Sequence, residues 1–144
     1  MKVKMMLSTK GNKVVTARSD TTVETAIRML KLEGIGALVV SDDGSKILGI
    51  LSERDVVRAL VDHGGHLLAM PVSKLMTRTV KTCSPDANIH ELMSEMTHSR
   101  IRHLPVVEGG KLYGIISIGD VVKNRLEELE METTVLRDYI VGRT

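Results

Sequence analysis

Two aliphatic runs joined by a glycine-containing turn occur twice along the chain: ALVV then ILGILS over residues 37–52, and HLPVV then LYGIIS over residues 103–117. Each pair predicts two buried strands folded back as a hairpin, with the turn in SDDGSK or VEGGK. Ahead of each hairpin the apolar positions change period. Val23, Ala26, Ile27 and Leu30 fall at i, i+3, i+4 and i+7, and so do Ile89, Leu92, Met93 and Met96. That spacing predicts an amphipathic helix with one face turned inward. Polar residues that can cap a helix precede both, Thr21 and Thr22 or Ser84 to Asn88. Thr21 with Glu24 three residues on reads as a capping box. A short strand, VVTA or VKTC, comes before each of these helices, and a second helix begins after Ser52 and after Ser117. The order is β-α-β-β-α, written twice, which is an α+β arrangement.

The two halves align residue by residue. Gly49, Ile50, Ser52, Asp55, Val56 and Val57 match Gly114, Ile115, Ser117, Asp120, Val121 and Val122 at a shift of 65. Upstream the shift is 66: Val14, Thr16, Asp20, Ile35, Leu38 and Val40 match Val80, Thr82, Asp86, Ile101, Leu104 and Val106. One residue is lost in the hairpin turn, where a change of length is tolerated. A unit of about 60 residues buries too little surface to stand comfortably alone. Repeats over 1–70 and 71–144 are therefore expected to pack sheet to sheet about a pseudo-twofold axis. LMT at 75–77 resembles MLS at 6–8, so a short lead-in segment repeats as well. From Val121 to Ile140 the chain reads as one long helix. Its narrow stripe of Val122, Leu126, Leu129, Leu136 and Ile140, interrupted at Thr133, suits another helix or a partner subunit.

Composition narrows the function. The chain is 42% hydrophobic and 26% charged, a balance expected of a soluble globular protein. Twenty Lys and Arg against 18 Asp and Glu leave a net charge of +2, too little to draw nucleic acid by bulk electrostatics. No apolar run approaches the roughly 18 residues needed to span a membrane. The start, MKVKMMLSTKGNK, has charges but no apolar core of signal-peptide length, which predicts a cytoplasmic protein. Cys83 is the only cysteine, so no internal disulfide forms. With no Phe or Trp the core must be aliphatic and Met-rich, and no aromatic platform is offered to bases.

The repeated heptapeptides, GILSERD and GIISIGD, carry the candidate chemistry. One reading is purely structural: Gly at a turn, two aliphatics in a buried strand, Ser as helix cap, and Asp in the first turn, where the helix dipole favours it. The other uses the same geometry for a ligand. A strand that turns into a helix presents backbone N–H groups to phosphate, and the Asp offers two acceptor oxygens to the hydroxyls of a ribose. RIRHLPVV in the second half sets Arg100, Arg102 and His103 where the first half has Gly34, Gly36 and Ala37. That cluster is either a solvated strand end or a phosphate clamp. Other chemistry is poorly supported. GIGALVV lacks the last glycine of a dinucleotide fingerprint and precedes a strand. There is no Walker A loop. His63 and His66 in HGGH have no third metal ligand nearby and suit a flexible polar linker. Cys83 is best read as a small buried strand residue.

The tandem units closed by GILSERD and GIISIGD, with RHLPVV in the second, resemble cystathionine β-synthase (CBS) domains, from about Val3 to Lys123. The resemblance implies a stand-alone CBS pair with a C-terminal helix. Such a pair is a non-catalytic module that senses adenosine-type ligands such as AMP, ATP or NAD in clefts between the repeats, and it commonly forms a homodimer. No catalytic cofactor or metal is implied. By this resemblance the ribose-binding Asp falls on Asp55 and Asp120, the Ser three residues earlier on Ser52 and Ser117, and the first-strand Thr on Thr16 and Thr82. Because each cleft straddles the repeats, Thr16 is expected to face Asp120, and Thr82 to face Asp55. Arg100, Arg102 and His103, with Pro105 in the same motif, are expected near phosphate, and Arg54 is expected as a second phosphate contact. Since Arg102 and His103 share a repeat with Asp120, the Asp120 cleft is expected to bind more tightly. The alternative is a protein or nucleic-acid interaction module built on Arg100–His103, with nucleic acid disfavoured by the missing aromatics. Two repeats filling 144 residues leave no room for an enzyme barrel of about 250 residues.

Overall fold

The structure, a computed structural model, describes residues 1–142. A lead-in helix, α1 (Val3–Lys10), is followed by β1 (Thr16–Ala17), α2 (Val23–Glu33), β2 (Ala37–Val40), β3 (Gly49–Ser52) and α3 (Glu53–His63). Two 3₁₀ turns, Gly64–Ala69 and Val72–Lys74, lead to α4 (Ile89–Ser99), β4 (His103–Glu108), β5 (Lys111–Ser117) and the long α5 (Ile118–Ile140). β1 runs parallel to β2, and β2 is antiparallel to β3; β4 and β5 form the second hairpin. The first strands are shorter than VVTA and VKTC suggest. β1 keeps two residues, and its counterpart is the single bridge of Cys83 to Val106, in the register that joins Ala17 to Val40.

Both amphipathic helices present the expected face. Val23, Ala26 and Leu30 are buried in one core, and Ile89, Leu92 and Met96 in the other. The cap of α2 is one residue later than Thr21 suggests. Thr22 accepts from the Thr25 N–H, and Glu24 turns away to pair with Arg28 at 3.0 Å, so no capping box closes there. HGGH is not a loose linker either. Leu67 and Val72 behind it are fully buried, which pins the 3₁₀ turns to the first core.

The two cores exchange their lead-in segments. Val3, Met6 and Leu7 of α1 pack with α4, β4 and β5, whereas Leu67, Val72 and Met76 from the middle of the chain pack with α2, β2 and β3. Matching backbone bonds fasten each segment. Ile89 N–H donates to Met1 C=O at 2.9 Å and Val3 N–H to Ala87 C=O at 2.9 Å; Val23 N–H donates to Met70 C=O at 2.8 Å and Val72 N–H to Thr21 C=O at 2.8 Å. The MLS–LMT similarity therefore marks equivalent positions in two cores, helical in one and, in the other, a non-helical stretch just after the second 3₁₀ turn that ends in the Thr77–Ile50 bridge.

β2 is buried along its whole length, and in β4 the three residues Leu104, Pro105 and Val106 are buried. Leu38 and Val40, or Leu104 and Val106, fill the core of their own half. The opposite faces carry Val39 and Pro105, also buried. The halves meet at Leu112 N–H, which donates to Ser45 C=O at 2.9 Å, and at His103 against Gly36. Among the described residues no helix is long and apolar enough to cross a membrane.

Candidate functional site

Ser52 and Ser117 end β3 and β5 with the same backbone angles, φ −108° and ψ 162°, and each opens a helix. Both helices begin with a closed capping box. Ser52 N–H donates to Asp55 Oδ2 at 2.9 Å, and Asp55 N–H to Ser52 Oγ at 3.3 Å. Ser117 N–H donates to Asp120 Oδ2 at 2.9 Å, and Asp120 N–H to Ser117 Oγ at 3.2 Å. These bonds satisfy donors that the first helical turn leaves open. They also hold each carboxylate still at the wall of a cleft, so the cap and the acceptor are one device.

The repeated glycine has its own cause. A Cβ at Gly49 would lie 2.6 Å from Met76 Sδ and 2.9 Å from Thr77 O; one at Gly114 would lie 2.8 Å from Leu7 Cδ1. Met76 and Leu7 are the exchanged lead-in side chains, and only glycine lets them so close.

The Asp55 cleft encloses about 390 Å³ between the halves. Its second wall is Thr79, Val80 and Lys81, which precede the Cys83 bridge, and its mouth carries Arg100, Arg102 and His103. Thr77 Oγ1 stands 3.5 Å from Asp55 Oδ1. Arg54, Arg58, Lys81, Arg100 and Arg102 set five fixed positive charges against Glu53 and Asp55. Arg100 holds a left-handed backbone at φ 55°, the one non-glycine residue to do so among the described residues, where the first half uses Gly34 at φ 64°. That conformation costs an L-residue about 1–2 kcal/mol, a cost the fold carries while keeping a guanidinium at the mouth.

The Asp120 cleft, about 320 Å³, is lined from the other half by Val14 and Val15 and contains Lys10 and Lys13. Lys10 Nζ donates to Asp120 Oδ2 at 2.6 Å and to Ile115 C=O at 2.8 Å. Burial pushes the Asp120 carboxyl up, but the hydrogen bonds from Lys10 and Ser117 outweigh it and hold it below the ordinary value. His103 lines both clefts. Burial lowers its pKa, the Lys10 charge lowers it further, and Glu53 and Asp120 only partly offset this.

A family model described as "CBS domain" matches residues 5–62 and again residues 72–127. The chain belongs to the CBS domain family. A CBS-domain containing protein from Agrobacterium tumefaciens has a solved structure that is similar with a TM-score of 0.83 and 46% identity, over 87% of this chain and 99% of that one. A CBSX3 protein of Arabidopsis thaliana, named as a mitochondrial CBS domain-containing protein, is 35% identical over 86% of this chain and 62% of its own length. An uncharacterized 17.7 kDa protein of Acidianus ambivalens is 34% identical over 83% of this chain and 72% of its own. The solved CBS domain pair of protein MJ0100 shares the fold at a TM-score of 0.78 and 24% identity.

The CBS pair brings Ser52, Arg54, Asp55, Arg100, Arg102 and His103 to one cleft, and Ser117 and Asp120, with His103 again, to the other. Thr16 and Thr82 line neither of these clefts, because the stretches just upstream, Val14–Val15 and Thr79–Lys81, form the walls. Pro105 is buried inside β4. The premise behind the expected ranking of the clefts differs in the structure: Arg100 and Arg102 line the Asp55 cleft and not that of their own repeat's Asp120, while His103 lines both. Arg58, Thr77, Lys81 and Lys10 are cleft residues that sequence reasoning missed. Arg58 had a signal, one helical turn after Arg54; the lead-in contributions of Thr77 and Lys10 become visible only once the exchange is known.

Proposed function

We propose that this CBS pair is a non-catalytic sensor that binds an adenine nucleotide, of the AMP, ATP or NAD type, in the Asp55 cleft. The observation that carries the reading is the pairing of a fixed carboxylate with five cations in one cavity between the halves. A neutral nucleoside needs the first but not the second. In this reading Asp55 accepts the ribose hydroxyls, with Thr77 beside it. Ile50, Val80 and Ile101 give the base an apolar bed, and Arg54, Arg58, Arg100 and Arg102 face the phosphates. Guanidinium groups suit that task because they present paired donors to phosphate oxygens. The volume lies within the range usual for small-molecule sites. The MJ0100 pair, whose structure is a complex with 5′-methylthioadenosine and S-adenosyl-L-methionine, supports the adenosyl half of this reading. The arginines argue for phosphate in place of sulfur. A homodimer is part of the proposal: Val122, Leu126, Leu129, Leu136 and Ile140 are exposed on α5 and need cover.

The test is calorimetric titration of AMP, ATP and NAD, with thermal unfolding alongside. A ligand at a hundredfold excess over its Kd stabilises the fold by about 2.7 kcal/mol. If none of the three binds or raises Tm at millimolar concentration, and the purified protein releases no adenosine compound, the reading fails. Nucleic-acid binding that fades in moderate salt and ignores nucleotide would point instead to an interaction module.

A further inference from the structure

The two clefts share one backbone plan but not one chemistry. At the Asp55 side, the lead-in chain passes Ile50 in extended form and pairs with it, Thr77 N–H donating to Ile50 C=O at 2.9 Å and Ile50 N–H to Thr77 C=O at 3.0 Å. At the Asp120 side the lead-in is α1, helical through Lys10, so its backbone cannot make that bridge. The carbonyl of Ile115, the counterpart of Ile50, would lack the matching donor. Lys10 supplies it through its side chain, at 2.8 Å, and the same ammonium reaches Asp120 Oδ2 at 2.6 Å. The residue aligned with Lys10 in the other lead-in is Thr79, which has no charge.

We propose that Lys10 closes the Asp120 cleft to ribose, so that the pair takes one nucleotide and not two. This rests on the reading of the heptapeptide Asp as the ribose acceptor. An ammonium held at 2.6 Å stands where a hydroxyl of the sugar would approach the carboxylate. To bind there, a ligand must displace a contact made to two acceptors at once. A charge-assisted contact of this kind corresponds to about tenfold or more in affinity. With Lys10 committed to Asp120, Lys13 is the one fixed cation left in that cleft, so phosphate gains little to offset the loss. Lys10 is thus a specificity-determining residue placed on the first helix, far along the chain from the carboxylate it masks.

Amide NMR distinguishes the clefts directly, with adenosine as a probe that carries no phosphate. In the unmodified protein, adenosine is expected to shift the amides of Ser52–Asp55 and Thr79–Lys81 at concentrations about tenfold or more below those that shift Val14–Val15 and Ile115–Asp120. Lys10→Met keeps the stem and removes the charge. It is expected to make the Asp120 cleft respond, and Asp120→Asn added to it is expected to silence that cleft again. Lys10→Arg, which keeps a cation, is expected to stay closed. Equal responses of the two clefts in the unmodified protein overturn the proposal without any variant. An unresponsive Asp120 cleft in folded Lys10→Met overturns it as well. An Asp120 cleft that opens in Lys10→Met while the Asp55 cleft ignores both adenosine and AMP upholds the role of Lys10 and removes the proposed nucleotide site.

Discussion

Replacing Gly49 by alanine tests whether the repeated glycine serves close packing, and its twin Gly114 supplies the control. Neither glycine needs a left-handed backbone, so alanine at both should gain about 0.5–1 kcal/mol from reduced chain entropy. Against this stands the new methyl. At Gly49 it meets Met76 Sδ at 2.6 Å, Met76 Cγ at 2.8 Å and the Thr77 carbonyl oxygen at 2.9 Å. The sulfur can swing away, but the carbonyl belongs to the Ile50–Thr77 bridge and cannot retreat without breaking it. Overpacking of this type costs about 1–3 kcal/mol. Because the carbonyl cannot yield, the cost falls in the upper part of that range, about 2–3 kcal/mol, and the net loss expected is about 1–2.5 kcal/mol, or a fall in Tm of about 2–10 °C for a chain of this size. At Gly114 the methyl meets only Leu7, with Cδ1 at 2.8 Å and Cδ2 at 3.2 Å, the movable ends of one side chain. Gly114→Ala should therefore cost less than Gly49→Ala, and only Gly49→Ala should weaken nucleotide binding, since it displaces Thr77 beside Asp55. Urea unfolding of both variants, with AMP titration on each, measures this. A Gly49→Ala protein as stable as the parent, or a larger loss at Gly114, would refute the packing account.

Three further outcomes are expected. Arg102→Ala should raise the Kd for AMP about tenfold or more while leaving adenosine binding unchanged; equal losses for both ligands in calorimetry would take Arg102 away from the phosphates. The Asp120 carboxyl is held below its ordinary pKa, so its stabilising effect is fully present above the unfolded value and is lost as pH falls through the lower folded one. Urea midpoints of the parent and Asp120→Asn should hence converge on acidification, starting below about pH 4, and a gap that widens there contradicts the Lys10 pairing. Burial pushes the Cys83 thiol up to about 11, with Glu95 adding to it. Cys83 should resist aromatic disulfide reagents at pH 8 until urea is added, and immediate labelling of the native protein would show the thiol is not sheltered.

Much of this architecture can be read from the chain because repeated local signals set it. The period of Val23–Leu30 and Ile89–Met96 gives the helices, and the repeated Ser and Asp give both helix caps and the place of their carboxylates; that each pair closes a capping box is seen in the structure. Thr21 misleads as a cap because Thr22, equally able to accept from a helix N–H, stands one residue along and takes the position without a Glu three residues on. The ranking of the clefts was not legible. Charges are assigned to a cleft by how the halves face each other: Arg100 and Arg102 fall on the side of Asp55, and His103 stands between the two clefts. Lys10 was hidden for a related reason: its partner Asp120 is 110 residues away, beyond any periodic signal.

The exchanged lead-in segments set an order of events during synthesis. Val3, Met6 and Leu7 emerge first, but the second core they complete is closed by Val121, 114 residues after Leu7. At about 5–20 residues per second, the first helix waits roughly 6–23 s for its site, its apolar face uncovered meanwhile. The first core can assemble as soon as Val72 and Met76 have appeared, so the two halves of a symmetric molecule mature in sequence. The last contacts to form are those of greatest separation along the chain, which topology makes slow. They include the one that seats Lys10 on Asp120, so a newly made chain would pass through a stage in which the Asp120 carboxylate is not yet covered.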